Sequence, residues 1–136
     1  MTTIKEFMTA WEEKEDATGA RQAFTELLTH LNTLDHTHLT FNARPGVSYS
    51  LRPCHTAQTT RSLFAMVDVI DDDPDQRWLS VCFYGDMVTD PEEMGDLIPG
   101  GLLGEDGYCF DLYTYDRYEI AYLKERLTQA HQKAAE

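Results

Sequence analysis

Basic residues are scarce in the middle of this chain. Between Ala65 and Asp116 there are fourteen carboxylates and one base, Arg77; the other ten acids and ten bases balance, so this stretch carries the whole net charge of −13. Such a surface would repel a phosphate backbone or an anionic bilayer, so neither nucleic acid nor membrane is expected as a partner. Long apolar runs are also missing. The longest extends over a few residues, against about 20 for a membrane helix. Residues 1–15 carry Lys5, Glu6, Glu12, Glu13, Lys14 and Glu15 where a secretory leader would be apolar. The expectation is a cytoplasmic protein of bacterial type.

Cysteine is sparse: Cys54, Cys82 and Cys109 form an odd set with no C-x-x-C. Without a leader, that pattern reads as reduced thiols. The catalytic patterns G-x-S-x-G, H-E-x-x-H and Ser-x-x-Lys do not occur.

What is present suits one ordinary domain over 1–136. The chain is 42% hydrophobic and 26% charged, and a chain of this length buries roughly two-thirds of its unfolded surface. Ile4, Phe7, Met8 and Trp11 mark an amphipathic helix, and Ala20, Phe24, Leu27, Leu28 and Leu31 mark a second. The two stripes are out of phase, which predicts a break near Asp16–Gly19 with Asp16 or Thr18 as the new cap. The period then changes to two. Leu39, Phe41 and Ala43, then Val47, Tyr49 and Leu51, flank Pro45-Gly46 and read as a hairpin. Residues 63–70 and 78–84 read as a second hairpin near the sheet centre. Asp90-Pro91-Glu92-Glu93 has the chemistry of a helix start and predicts a short helix at 91–97. A strand at 108–113 follows, and a last helix opens on Asp116-Arg-Tyr-Glu119. The expected class is α+β. It has a mostly antiparallel sheet of about five strands, helices on one face, and the order α-α-β-β-β-β-α-β-α.

Several constellations bear on chemistry. His36 and His38, with Cys54 and His55 beyond the paired strand, offer zinc-type donors, but their spacing matches no standard site and no metal is expected. Asp71, Asp73 and Asp75 begin a calcium-loop pattern that fails at Gln76 and Cys82. Pro99 to Gly107 is glycine-rich yet lacks a P-loop lysine, so it reads as a chain reversal or a mobile lid. Tyr108, Phe110, Tyr113, Tyr115, Tyr118 and Tyr122 form an aromatic cluster suited to core or interface. Asp68 is a lone carboxylate in an apolar run, so it needs a partner such as Arg52 or Arg61, or a raised pKa.

These features point to a non-catalytic binding or regulatory domain that meets a basic protein partner, with no cofactor. The stripe on the first helix must cover the core or a second subunit, which allows a homodimer through residues 1–15. A different class is also open: a small-molecule binder or enzyme using the polar sheet face around His38, Asn42, Ser50 and Arg52, with Asp68. A deep pocket over those residues would favour that alternative, and a flat face would favour the first.

Overall fold

The computed structural model describes residues 2–136. Three helices and six strands follow one another as α1 (Ile4–Glu12), α2 (Ala20–Asn32), β1 (Thr37–Arg44), β2 (Ser48–His55), β3 (Met66–Ile70), β4 (Trp78–Tyr84), β5 (Asp96–Leu102), β6 (Glu105–Leu112) and α3 (Arg117–Ala134). The strands form one antiparallel sheet in the order β1-β2-β3-β4-β6-β5. The class is α+β, and the strand count is six where about five were expected. No helix among the described residues is long and apolar enough to cross a membrane.

Local chemistry explains most boundaries. Thr3 caps α1 by accepting from the Glu6 N–H at 3.1 Å. The expected break between helices is present, but Gly19 takes the N-cap position expected of Asp16 or Thr18. Both Asp16 carboxylate oxygens still accept from the Arg21 and Gln22 N–H groups, and the Thr18 hydroxyl from the Ala20 N–H. Asp116 caps α3 through the N–H groups of Tyr118 and Glu119. The pair β1 and β2 is in full register from Thr37 opposite His55 to Arg44 opposite Ser48.

Where the sequence predicts a short helix at 91–97, residues 91–95 form a turn, and the additional strand β5 begins at Asp96. Asp90 does act as a cap, accepting from the N–H groups of Met94 and Gly95. The chain nevertheless makes only a turn there. A Cβ on Gly95 would lie 2.6 Å from the Phe110 ring, so the chain presses flat on the sheet at that point. It then enters β5 and pairs with β6, Asp96 opposite Cys109 and Leu97 opposite Tyr108. The glycine-rich segment is therefore a hairpin and not a free lid. Its turn is Leu103-Gly104, with φ of 49° and 87°, the positive pair that a two-residue primed turn requires. The register shift at Pro99-Gly100-Gly101 bends this edge strand.

Alternation along the strands sends Leu51, Val67, Val69, Leu79, Val81, Phe83, Phe110 and Leu112 to one face, where they are buried against the helices. Phe24, Leu27 and Leu31 of α2 and Ile120, Leu123 and Leu127 of α3 complete that core. The two helices lie side by side and run the same way, with His30 against Thr128 and Glu26 against Lys124. Phe7 and Trp11 of α1 are 3% and 2% exposed. Phe7 stacks on Tyr49 at 4.0 Å between centroids. The apolar stripe of α1 thus packs on this chain's own core.

One buried ion pair joins the helical layer to the strand ends. Asp71 and Arg77 close the loop between β3 and β4, with Arg77 Nε 2.7 Å from Asp71 Oδ1. The second Asp71 oxygen accepts from the Gly46 N–H at 2.8 Å, which ties in the turn between β1 and β2. The Arg77 guanidinium lies over the rings of Phe7, Trp11 and Tyr49. Asp71 therefore cannot act as the first ligand of a calcium loop with Asp73 and Asp75, which stay exposed.

Candidate functional site: the uncovered face of the sheet

All three helices lie on one side, so the other face of the sheet is open. The residues facing it alternate with the core residues along each strand. Register places one polar row straight across five strands: Asn42 opposite Ser50, Ser50 opposite Asp68, Asp68 opposite Ser80, and Ser80 opposite Asp111. His38, Asn42, Ser50, Arg52 and Asp68, which the sequence singles out, therefore share this face. His38 and Asn42 are exposed, whereas Ser50 is only 2% exposed beneath its neighbours. Arg52 Nε donates to Ser50 Oγ at 3.1 Å, and Arg44 donates to Ser48 Oγ at 3.2 Å. The two guanidiniums roof over two buried serines.

Asp68 sits in the middle of the row. Its Oδ1 is buried and has no hydrogen-bond partner. Burial pushes its carboxyl above the usual carboxylate range, against weaker opposing pulls from the Ser50 hydroxyl, Arg52 and Arg44. The expected ion pair with Arg52 or Arg61 is not made within salt-bridge distance. Arg52 is turned to Ser50, and Arg61 lies at the far end of the sheet. There Arg61 clamps Asp86 at 2.8 Å and Glu105 at 2.7 Å and covers the Tyr84 ring.

At the end of the sheet that holds the Asp71–Arg77 loop, the open face becomes apolar. Ile70 pairs with Trp78, and the Trp78 ring packs on Tyr113 with centroids 4.6 Å apart. Tyr113 is 59% exposed. Its hydroxyl donates to Asp111 at 3.4 Å. The loop carrying exposed Asp72 and Asp73 enters β4 at Trp78. Sequence reasoning placed Tyr113 in an aromatic cluster but did not pair it with Trp78. Their contact follows from the adjacency of β4 and β6, which no local pattern encodes.

Cys82 and Cys109 also meet on this face, directly opposed on β4 and β6 and joined as a disulfide. This corrects the expectation of three reduced thiols; Cys54 alone is free. The separation of 27 positions between the partners gave no sequence signal, because the pairing depends on β6 inserting between β4 and β5.

The histidines divide differently from the His-x-His reading. His38 points to the open face, whereas His36, His55 and His131 gather at the end of the sheet where β1 begins. The His55 ring lies 5.8 Å from His36 and 4.9 Å from His131. His55 Nδ1 accepts from the Ala57 N–H at 3.0 Å. Burial lowers the His55 pKa, and the neighbouring His131 and His36 lower it further. Among the described residues, no group of three or more His, Cys, Asp or Glu is placed to hold a metal ion.

Two clefts lie away from His38, Asn42, Ser50, Arg52 and Asp68. A wide, shallow one of about 590 Å³ is bounded by Arg61, Asp86, Leu97, Glu105 and Tyr108. A small cavity of about 30 Å³ lies among Met94, Phe110 and Tyr122. No protein-family model matches the chain, and no curated protein or solved structure matches it.

Proposed function

We propose that this chain is a non-catalytic binding domain that holds a basic protein partner against the acidic side of its uncovered sheet face. The observation that carries the reading is the Trp78–Tyr113 ring pair, beside Ile70 and Asp111, with exposed Asp72 and Asp73 in the loop that leads into Trp78. None of these three carboxylates forms an ion pair among the described residues. An exposed tyrosine ring packed on a partly buried tryptophan, beside carboxylates without a cationic partner, suits a lysine or arginine side chain, which gains both ring and Coulomb attraction. Trp and Tyr also dominate binding energy at protein interfaces. The two described clefts lie away from Asn42, Ser50, Arg52 and Asp68, which suits contact with a surface better than capture of a small molecule.

Titration with a lysine- and arginine-rich peptide tests this, read by tryptophan fluorescence. Trp11 is 2% exposed, so a change reports chiefly on Trp78. Saturable binding that weakens with salt is expected, and Trp78→Ala or Asp111→Asn should weaken it at least about fivefold. An unchanged spectrum at about 1 mM peptide, where even the weakest useful contacts register, would refute the proposal.

The unpartnered Oδ1 of Asp68 favours a second reading, a polar small molecule held near Asn42, Ser50 and Arg52. Native mass spectrometry of purified protein would reveal such a ligand, and its loss in Asp68→Asn would place it.

A further inference from the structure

Charge on the uncovered face is sorted from one edge of the sheet to the other. From His36 through Val67 the chain contains no carboxylate. β1 and β2 therefore present Arg44 and Arg52, with His38, and no compensating acid. On the opposite side, Asp111 of β6 and Asp96 of β5 are exposed. The only base in that part of the sequence, Arg77, is buried on the other face with Asp71. Asp68 marks the boundary. Between the two sides runs a less polar strip, Met66 and Ile70 on β3 with Trp78 and the Cys82–Cys109 bridge.

We propose that the basic surface this face meets belongs to a second copy of this chain, acidic overall, seated face to face so that the Arg44–Arg52 side of each copy covers the Asp96–Asp111 side of the other. The proposal rests on reading this face as a protein-binding surface, and it names the occupant. Two symmetric arrangements keep the strands of the copies aligned. A twofold axis across the strands lays β1 on β1 and β2 on β2 and sets the Arg44–Arg52 side of one copy against the same basic side of the other, which like-charge repulsion disfavours. An axis along the strands reverses the strand order in the second copy. It lays β1 and β2 over β5 and β6, and β3 over β4. Ile70 then meets Trp78 of the mate, and Met66 meets the mate's Cys82, so a less polar centre has a charged margin on each side. Arg52, already turned toward the row of Ser50, faces Asp111 of the mate. Each contact occurs twice, and the arrangement closes at two copies.

The size of the face sets the strength. Strands about 4.8 Å apart, with about 3.3 Å per residue along the five-residue β3, give a plan area of roughly 400 Å² per copy. The total of about 800 Å² falls below the roughly 1,000 Å² of a stable specific interface and in the range of weak, transient contacts. The dimer should therefore form reversibly, with a dissociation constant in the micromolar range.

Sedimentation at protein concentrations from about 1 to 200 μM, in about 0.15 M salt, tests the proposal. At that ionic strength the screening length of about 8 Å mutes distant repulsion between the acidic copies but spares pairs in contact. A monomer–dimer equilibrium is expected. Arg52→Glu and Asp111→Arg should each weaken it at least tenfold, and the double variant should recover most of the loss. Asp111 is exposed and holds only the Tyr113 hydroxyl, so Asp111→Arg should fold; Asp111→Asn serves as a milder second variant. A chain monomeric at 200 μM, a dimer indifferent to the swaps, or a double variant as weak as the singles would overturn the proposal. The peptide titration separates the two levels. Peptide binding by a chain that stays monomeric defeats the second copy alone, whereas loss of both defeats the binding reading as well.

Discussion

Asp71→Ala is the single substitution expected to cost this fold most. Asp71 and Arg77 are 4% and 8% exposed, so both charges are removed from water. Each supports the other and something else. One Asp71 oxygen takes the Arg77 Nε–H, and the other takes the Gly46 N–H. The guanidinium lies 5.1 to 5.4 Å from the centroids of Phe7, Trp11 and Tyr49, joining α1 to β2. Removing the carboxylate leaves a buried, unpaired cation beneath α1, which costs about 3–5 kcal/mol. Unfolding entropy near the melting point is about 2.1 cal/mol/K per residue. For 136 residues that penalty should lower Tm by roughly 10–17 °C. Calorimetry or circular dichroism melts would measure it, with urea unfolding as a second route. The comparison is Asp86→Asn, which breaks one arm of the solvent-exposed Arg61 clamp and should cost under about 1 kcal/mol. A loss below about 3 °C for Asp71→Ala would equate the buried pair with an exposed one and refute the argument. Replacing both members by apolar residues of similar size should recover much of the loss, because the desolvation cost disappears with the charges.

Deleting residues 1–15 should expose Tyr49, Phe41 and Phe24 and remove two of the three rings beneath Arg77. Phe7 and Trp11 alone contribute about 3–6 kcal/mol of burial, so a truncated chain with unchanged Tm and solubility would contradict the packing. Asp68→Asn should raise stability at pH 7 by up to about 1 kcal/mol, because burial disfavours the charged form of this carboxyl and one of its oxygens is unsatisfied. Its pKa is raised in the fold, so the native state binds that proton more tightly and the wild-type cost grows as pH rises from the acid side through the folded pKa. The gain from Asn should shrink toward pH 4, and a loss of stability at pH 7 would mean that Arg44 and Arg52 already satisfy the carboxylate. Reduction of the Cys82–Cys109 bridge frees a loop whose ends are 27 residues apart, worth at most about 3.5 kcal/mol of chain entropy. Thiol titration of unreduced, unfolded protein should find one free thiol, and a count of three would remove the bridge.

Periodicity in the sequence determined the parts whose cause is local. A 3.6-residue stripe needs only its own neighbours, which is why α1, α2 and α3 were legible, along with the break between α1 and α2. Period two located β1 and β2 and placed His38, Asn42, Ser50 and Arg52 on one side of the sheet, because alternation decides which face a side chain takes. β3 and β4 were legible only as apolar runs, and the register of β2 with β3 brought Asp68 onto the same face. Tertiary structure decided everything that depends on which strand lies beside which. Asp90-Pro91-Glu92-Glu93 carries real capping chemistry, yet Gly95 against Phe110 and the free edge of β6 draw the chain into β5 instead of a helix. β6 lies between β4 and β5 in the sheet, and only that order sets Cys82 against Cys109 and Trp78 against Tyr113. The acidic middle of the sequence is likewise divided by the fold. Asp71 turns inward to Arg77, Asp86 and Glu105 close on Arg61, and Asp96 and Asp111 remain open on the side of the sheet away from Arg44 and Arg52. Composition fixes the number of charges, but contact between residues distant in sequence selects the ones left free to act.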